Sequence, residues 1–292
     1  MYRPYRRFTQ LSFVALMFVI PVLNLFEIYA VTGTFYAINI GGLGISDPMV
    51  ILQAIFASGE LTIPLAFAAI FPVFAAFVFG RIWCGWMCPY HVLADAAAWL
   101  RAKFRAKALR ETEPAALVCP SPLKANMFRF GFLFTGTVIA GAIGIPVLNY
   151  VSAPGILSTE AMILVKEHFL SIEFVFIGTL FLLELLFLPR FWCRMFCPTG
   201  SFISLFRTSF TLRVESDSKR LKAPCCKENS CTPSCPMGLT PYREGDNLLC
   251  TNCARCIDAC RMQRLRFAAF QSATGSGHAV RGASGSTHQD RS

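Results

Sequence analysis

Four stretches of this chain are unusually long and apolar: about Phe8 to Ala30, Leu61 to Phe79, Phe128 to Val147 and Phe169 to Leu188. Roughly 20 apolar residues carry a helix across the hydrocarbon core of a bilayer. No water reaches that depth, so a single spanning segment must satisfy its backbone groups internally, as a helix does. The pattern predicts four transmembrane helices. Only 15% of the 292 residues are charged, against about 25% in soluble domains. Gly131, Gly136, Gly141, Gly144 and Pro146 crowd the third stretch, a usage that membrane helices tolerate. Glu173 and Glu184 lie in the fourth, where an ionisable group needs an interface or a partner. Glu173 suits the interface, and Glu184 suits snorkelling or pairing. The first stretch is too long for a signal peptide, and no small-residue cleavage site precedes Asn24 and Glu27, so it reads as a retained span.

Charge sets the orientation. Arg3, Arg6 and Arg7 precede the first span, Arg81 to Lys124 include seven cations between the second and third, and Arg190 to Lys222 include seven more after the fourth. The connection from Val31 to Glu60 has no Lys or Arg. The positive-inside rule then places both termini and the middle loop in the cytoplasm of a bacterial inner-membrane protein. The net charge of +10 is accounted for by cations at membrane exits, where anionic lipid attracts them, so membrane lipid and no nucleic acid is the expected partner. Pro48 to Ala57 and Leu157 to Val165 are apolar but short, and read as interfacial helices. The segment after Phe270 is polar and aperiodic, with His278 and His288 in it, and reads as a disordered tail.

Of thirteen cysteines, four form two matched pairs. Arg81, Trp83, Cys84, Cys88 and Pro89 align at one constant offset with Arg190, Trp192, Cys193, Cys197 and Pro198. Each R-x-W-C-x3-C-P closes a span–loop–span hairpin, so the membrane part reads as two parallel copies of one hairpin. C-x3-C puts two thiols one turn apart on one side of a helix, and the proline suits a helix start or break. A stable disulfide is disfavoured on the cytoplasmic side. The pairs can share a metal, supply ligands to a cluster, or cycle between thiols and disulfide. Equally they can be buried apolar groups, with Trp83 and Trp192 as interfacial anchors. His91, just beyond Cys88, is either a proton-handling group or an ordinary cytoplasmic-face histidine. Cys119 has no assigned role.

The other cysteines lie beyond the fourth span. Cys250, Cys253, Cys256 and Cys260 form C-x2-C-x2-C-x3-C, the run that holds bacterial [4Fe-4S] clusters, whose fourth cysteine serves the other cluster of a pair. An earlier run places Cys225, Cys231, Cys235 and Pro236 in the corresponding positions, but Glu228 stands at the second and Cys226 is spare. Arg261 replaces the usual proline after the later run. One cubane would use Cys235, Cys250, Cys253 and Cys256. The other would use Cys225, Cys231 and Cys260, completed by Cys226 or Glu228. Closed four-thiolate zinc is the competing metal.

The four spans, the paired exits and the double cysteine run resemble the NapH/MauN family of ferredoxin-type membrane proteins, over roughly residues 1 to 270. The resemblance implies membrane electron transfer, with quinol oxidation proposed for the nitrate-reductase members. It maps cluster ligands onto Cys225, Cys231, Cys235, Cys250, Cys253, Cys256 and Cys260. The glutamate at 228 departs from the regular nitrate-system pattern and tilts the choice toward the methylamine-utilisation branch.

The expected class is a mainly α membrane protein, four transmembrane helices in two repeated hairpins (1–110 and 111–215). A small cytoplasmic bacterial-ferredoxin-like module (216–270) and a disordered tail (271–292) follow. It would carry one to two [4Fe-4S] clusters and pass electrons between the quinone pool, or a cytoplasmic donor, and a redox partner of a periplasmic oxidoreductase. No residue is assigned a catalytic role. The rivals are a cysteine-rich maturation factor for a partner enzyme and, lower, a cluster-dependent membrane regulator.

Overall fold

A computed structural model describes residues 1–27, 31–41, 43–60, 62–108, 121–186, 189–216, 231–244, 247–260 and 264–269. The chain begins with α1 (Arg3–Leu25), whose interior face is a single stripe of Arg6, Gln10, Met17, Ile20 and Pro21, the 3.6-residue periodicity of a helix packed on one side. A three-stranded antiparallel meander follows, β1 (Val31–Thr34), β2 (Ala37–Ile40) and β3 (Leu43–Ser46). Its first turn drives Phe35 and Tyr36 into a cluster with Met17, Ile20 and Ala161. Nothing in the apolar-run reading anticipates these strands.

Next come α2 (Pro48–Ser58) and α3 (Ile63–Phe79). Asp47 caps α2, accepting the Met49 N–H at 2.9 Å with Pro48 at the first helical position. A short α4 (Ile82–Trp86) leads into the polar α5 (Pro89–Ala108). There follow α6 (Pro122–Ile143), a 3-10 turn (Val147–Val151), α7 (Ala153–Glu167), α8 (Glu173–Leu186), a short α9 (Phe191–Met195) and α10 (Pro198–Leu205). Finally β4 (Arg213–Ser216) pairs antiparallel with β5 (Leu265–Ala268), and α11 (Pro241–Glu244) and α12 (Arg255–Ala259) lie between them in sequence.

Two of the four expected spans, α1 and α6, are helices long and apolar enough to cross a bilayer. The second is a 17-residue helix and the fourth a 14-residue one that bends by 98° into Phe191–Leu205. A third span exists if that bent pair counts as one. Large apolar side chains face outward along these helices, including Phe8, Leu11, Phe71, Phe74, Phe134 and Val175. Surface of that kind suits lipid rather than water.

The two short apolar helices form where expected, but they pack inside rather than lying apart. α2 packs on α6, and α7 packs on α1 and α8. Gln53, fully buried on α2, accepts the Leu148 N–H at 3.1 Å. Gly136 makes this packing close: a β-carbon there would stand 2.4 Å from Leu148 Cδ2. Glu184 pairs rather than snorkels, accepting the Tyr90 hydroxyl at 2.8 Å while 2% exposed. Glu173 starts α8, where a carboxylate favours the positive helix end. The disordered reading of 271–292 lies outside the described residues.

Candidate functional site: two sets of thiols

Cys235, Cys250, Cys253 and Cys256 line one pocket, together with Val214, Met237 and Leu239. Cys253 and Cys256 are buried and the other two half-buried. Burial pushes the Cys235 thiol up to about 11, while the Leu239 and Met237 amides oppose it. Burial, then the neighbouring thiols Cys253, Cys250 and Cys235, pushes Cys256 upward as well. The raised thiols stay protonated without metal, and a metal taking them as thiolates must release protons. Among the described residues no three His, Cys, Asp or Glu side chains converge on the point a single ion requires. Four thiols around one pocket are the donor set of a cubane and equally of a four-thiolate zinc site. Cys231 packs against the apolar cluster containing Cys256 and Cys260. Cys225, Cys226 and Glu228 lie outside the described residues, as does Cys119.

The second set is made by the two R-x-W-C-x3-C-P segments, which fold alike. In the first, the amides of Met87 and Cys88 both donate to the Trp83 carbonyl at 3.0 Å. In the second, Phe196 and Cys197 do the same to Trp192, at 3.0 and 2.9 Å. The short helix ends there, and Pro89 or Pro198 starts the next one. Each pair therefore straddles a helix break, with its second cysteine at the start of the following helix. Cys197 Sγ accepts the Gly200 N–H at 3.4 Å. The four thiols are mutual electrostatic neighbours: Cys88 with Cys84 and Cys197, Cys197 with Cys84, and Cys193 with both Cys197 and Cys88. Trp192 is buried and Trp83 half-buried, each against other aromatic rings. Trp83 stacks on Phe35 with centroids 5.7 Å apart, and Trp192 stacks on Phe196 at 5.6 Å.

The two sets are in direct contact. A β-carbon on Gly85, inside the first pair, would stand 2.6 Å from Thr251 O and 3.2 Å from Cys253 Cβ. Glycine is what permits the approach. Trp86 Nε1 donates to Asn252 O at 3.0 Å. Asn252, with φ +50°, donates through Nδ2 to Phe79 O at 3.2 Å and Leu212 O at 2.7 Å. The second segment packs on the other side of the tail: Met195 joins Met237, Leu239 and Leu249, with Cys193 and Cys235 against them, and Arg194 donates to Met237 O.

Arginines occupy the space between. Arg81 is 3% exposed and donates to Leu248 O at 2.9 Å. Arg129, 1% exposed, donates to Leu248 O, Gly200 O, Ser201 Oγ and Ser204 Oγ. Arg6 donates to Cys253 O at 3.0 Å. Arg190 pairs with Asp95, which also holds Arg255 from the tail. His91 is neither exposed nor hydrogen-bonded through its ring, and burial followed by the nearby Arg190 cation holds it well below the usual imidazole range. It therefore stays neutral. Sequence reading singled out the thiols but not Arg129, Asp95, Asn252 or Gly85, whose contacts arise only across the fold.

A protein family described as a 4Fe-4S binding domain matches residues 61–107 and again 170–213. Those segments hold the two C-x3-C-P pairs and none of the tail cysteines. The methylamine utilization ferredoxin-type protein MauN of Methylorubrum extorquens is 28% identical, over 87% of this chain and 73% of that protein. MauN of Paracoccus denitrificans is 30% identical over 68% of this chain, which spans 63% of that relative. The ferredoxin-type protein NapH of Haemophilus influenzae is 25% identical over 90% of this chain and 88% of its own length. No solved structure matches the chain. With its cysteine runs, its apolar helices and these relatives, the chain belongs to the NapH/MauN family of ferredoxin-type proteins.

Proposed function

We propose that this protein is an electron carrier of the bacterial cytoplasmic membrane. It would link the quinone pool, or a cytoplasmic donor, to a redox partner of a periplasmic oxidoreductase system. Of the systems named by its relatives we favour methylamine utilisation, on the 30% identity with a MauN protein against 25% with NapH. The observation that carries the reading is the single pocket framed by Cys235, Cys250, Cys253 and Cys256. The first of these comes from the earlier run and the other three from the later one, as a two-cluster ferredoxin exchanges its fourth ligand. These four would hold one [4Fe-4S] cluster. Cys231 and Cys260 would contribute to the other, with Cys225 and either Cys226 or Glu228. A bound cubane supplies one-electron oxidation and reduction; the chain supplies burial, charge and position.

The same local fold in both C-x3-C-P segments, and the family match to each, support two repeated hairpins with both motif ends on the cytoplasmic side. A second feature supports a quinone-class donor. An apolar cavity of about 390 Å³ is lined by Phe13, Phe35, Phe71, Trp83, Tyr36 and Asp47, among others, within the size range of small-molecule sites. Tyr36 and Asp47 offer a phenol and a carboxyl to the oxygens of a head group in a largely apolar cavity. Burial pushes Asp47 up to about 6, against the Met49 amide and Thr199 hydroxyl that hold it down. Such a carboxyl can take up a proton near neutral pH.

Anaerobically purified protein should contain iron and acid-labile sulfide, with a low-temperature resonance from a reduced cubane. Cys253→Ser should abolish that signal while the protein stays in the membrane. Zinc without sulfide in the purified protein would refute the assignment.

A further inference from the structure

We infer that Cys84, Cys88, Cys193 and Cys197 together hold one further iron–sulfur cluster, shared between the two motif copies and seated between the apolar cavity and the tail pocket. This goes beyond the tail assignment and does not depend on it. The four thiols come from two segments with the same helix-break geometry; Cys88, Cys193 and Cys197 pack in one apolar cluster with Trp192, and Cys84 is electrostatically coupled to Cys88 and Cys197. Two pairs from two copies make one four-thiolate donor set, whereas either pair alone is half a site. The family match over both segments is to 4Fe-4S binding.

Charge supplies the independent observation. Among the described residues, Arg81 and Arg129 are buried and have no carboxylate at ion-pair distance; their partners are carbonyls and hydroxyls. A buried cation with no anion is costly. Neutral thiols do not offset it, but metal-bound thiolates do, and a cubane with four thiolates is a net anion. The cations stand where such anions would be. Arg129 faces Cys197 and Cys84. Arg81 faces Cys197 on one side and Cys250 on the other. Arg190, its counterpart in the second motif, faces Cys193, Cys88 and Cys253. The motif arginine is thus electrostatically coupled to thiols of both sets in each copy.

Position gives the site its use. Trp83 and Met87 of the first motif line the cavity, and Gly85 between them abuts Cys253. A redox centre on the four motif thiols would connect the two.

The test is iron and sulfide content with Mössbauer and paramagnetic resonance spectra of the full-length, ⁵⁷Fe-labelled protein. Cys88→Ser and, separately, Cys197→Ser should each lose about four irons per chain, the content of one cubane, while the tail signal persists as a check on folding. Loss of the same four irons from either copy is what sharing requires. Cys253→Ser should instead lose the tail signal and keep the other, so failure of one assignment is distinguishable from failure of the other. A second measurement needs no variant: anaerobic alkylation should spare all four motif thiols in the loaded protein and modify them after iron is chelated. Unchanged iron in both motif variants, or alkylation of all four thiols in the loaded protein, would overturn the inference.

Discussion

Asn252 offers a test of how the tail is held against the helices. It is 1% exposed, sits in the left-handed region at φ +50°, and donates to Phe79 O and Leu212 O. Phe79 ends α3, so its carbonyl lacks a helical donor. Asn252→Gly keeps the backbone conformation but leaves both carbonyls without that amide. Each buried group left unsatisfied costs about 1–3 kcal/mol, so the tail should open roughly 2–6 kcal/mol more easily. Asn252→Ala adds the left-handed penalty of about 1–2 kcal/mol. The assay is limited trypsinolysis of the loaded protein at Arg255, Arg264 and Arg266, at protease levels where the rate scales with protease. Cleavage then reports the open population. The low end of the range is about a 30-fold faster rate, at 1.4 kcal/mol per decade, and alanine should be faster again. Iron content measured in parallel ensures that equally loaded proteins are compared. A glycine variant cleaved within about threefold of the parent would refute the reasoning. Alanine no faster than glycine would refute the strain component alone.

Gly85→Ala places a β-carbon 2.6 Å from Thr251 O and should loosen the same contact by about 1–3 kcal/mol, read by the same cleavage; an unchanged rate would contradict it. Tyr90→Phe removes the hydroxyl that Glu184 accepts and leaves the buried carboxyl with the Trp192 amide alone, whereas Glu184→Gln still offers the tyrosine an acceptor. Aggregation temperature in detergent should therefore fall by more in Tyr90→Phe, and the opposite order would refute the pairing. Reporter fusions after Lys107 and after Arg266 should both score cytoplasmic, following the cations at those exits; either one scoring periplasmic would reverse the proposed orientation.

Much of this was legible locally. Pro89 and Pro198 mark helix starts from the residue alone, because proline fixes its own φ and needs no donor at that position. The crossing of Cys235 to the later run follows from the spacing rule of two-cluster ferredoxins, and the pocket contains those four thiols. Long-range consequences were not legible. Phe169 to Leu188 reads as one apolar span, yet the helix runs only from Glu173 to Leu186 before the chain turns. Hydropathy records composition, while the bend comes from what α9 and α10 pack against. The β1–β3 meander was missed because Gly33, Gly41 and Gly44 dilute its alternation. Arg129 looks like a stray cation at the edge of a span. Only the fold shows that Gly200, Ser201, Ser204 and Leu248 surround it.

Asp95 binds Arg190 from the second motif and Arg255 from the tail loop. That junction has a consequence for the order of manufacture. Synthesis delivers the three residues far apart in time, and the loop with Cys250, Cys253 and Cys256 emerges after every helix it leans on. Its anchors reach back to Arg6, Phe79 and Trp86, so the loop closes over separations that make a contact slow to form. Folding of the helices it leans on must therefore precede closure of the tail pocket. Any cluster that those thiols take up would then be acquired as a finishing step, on a chain whose helices are already in place.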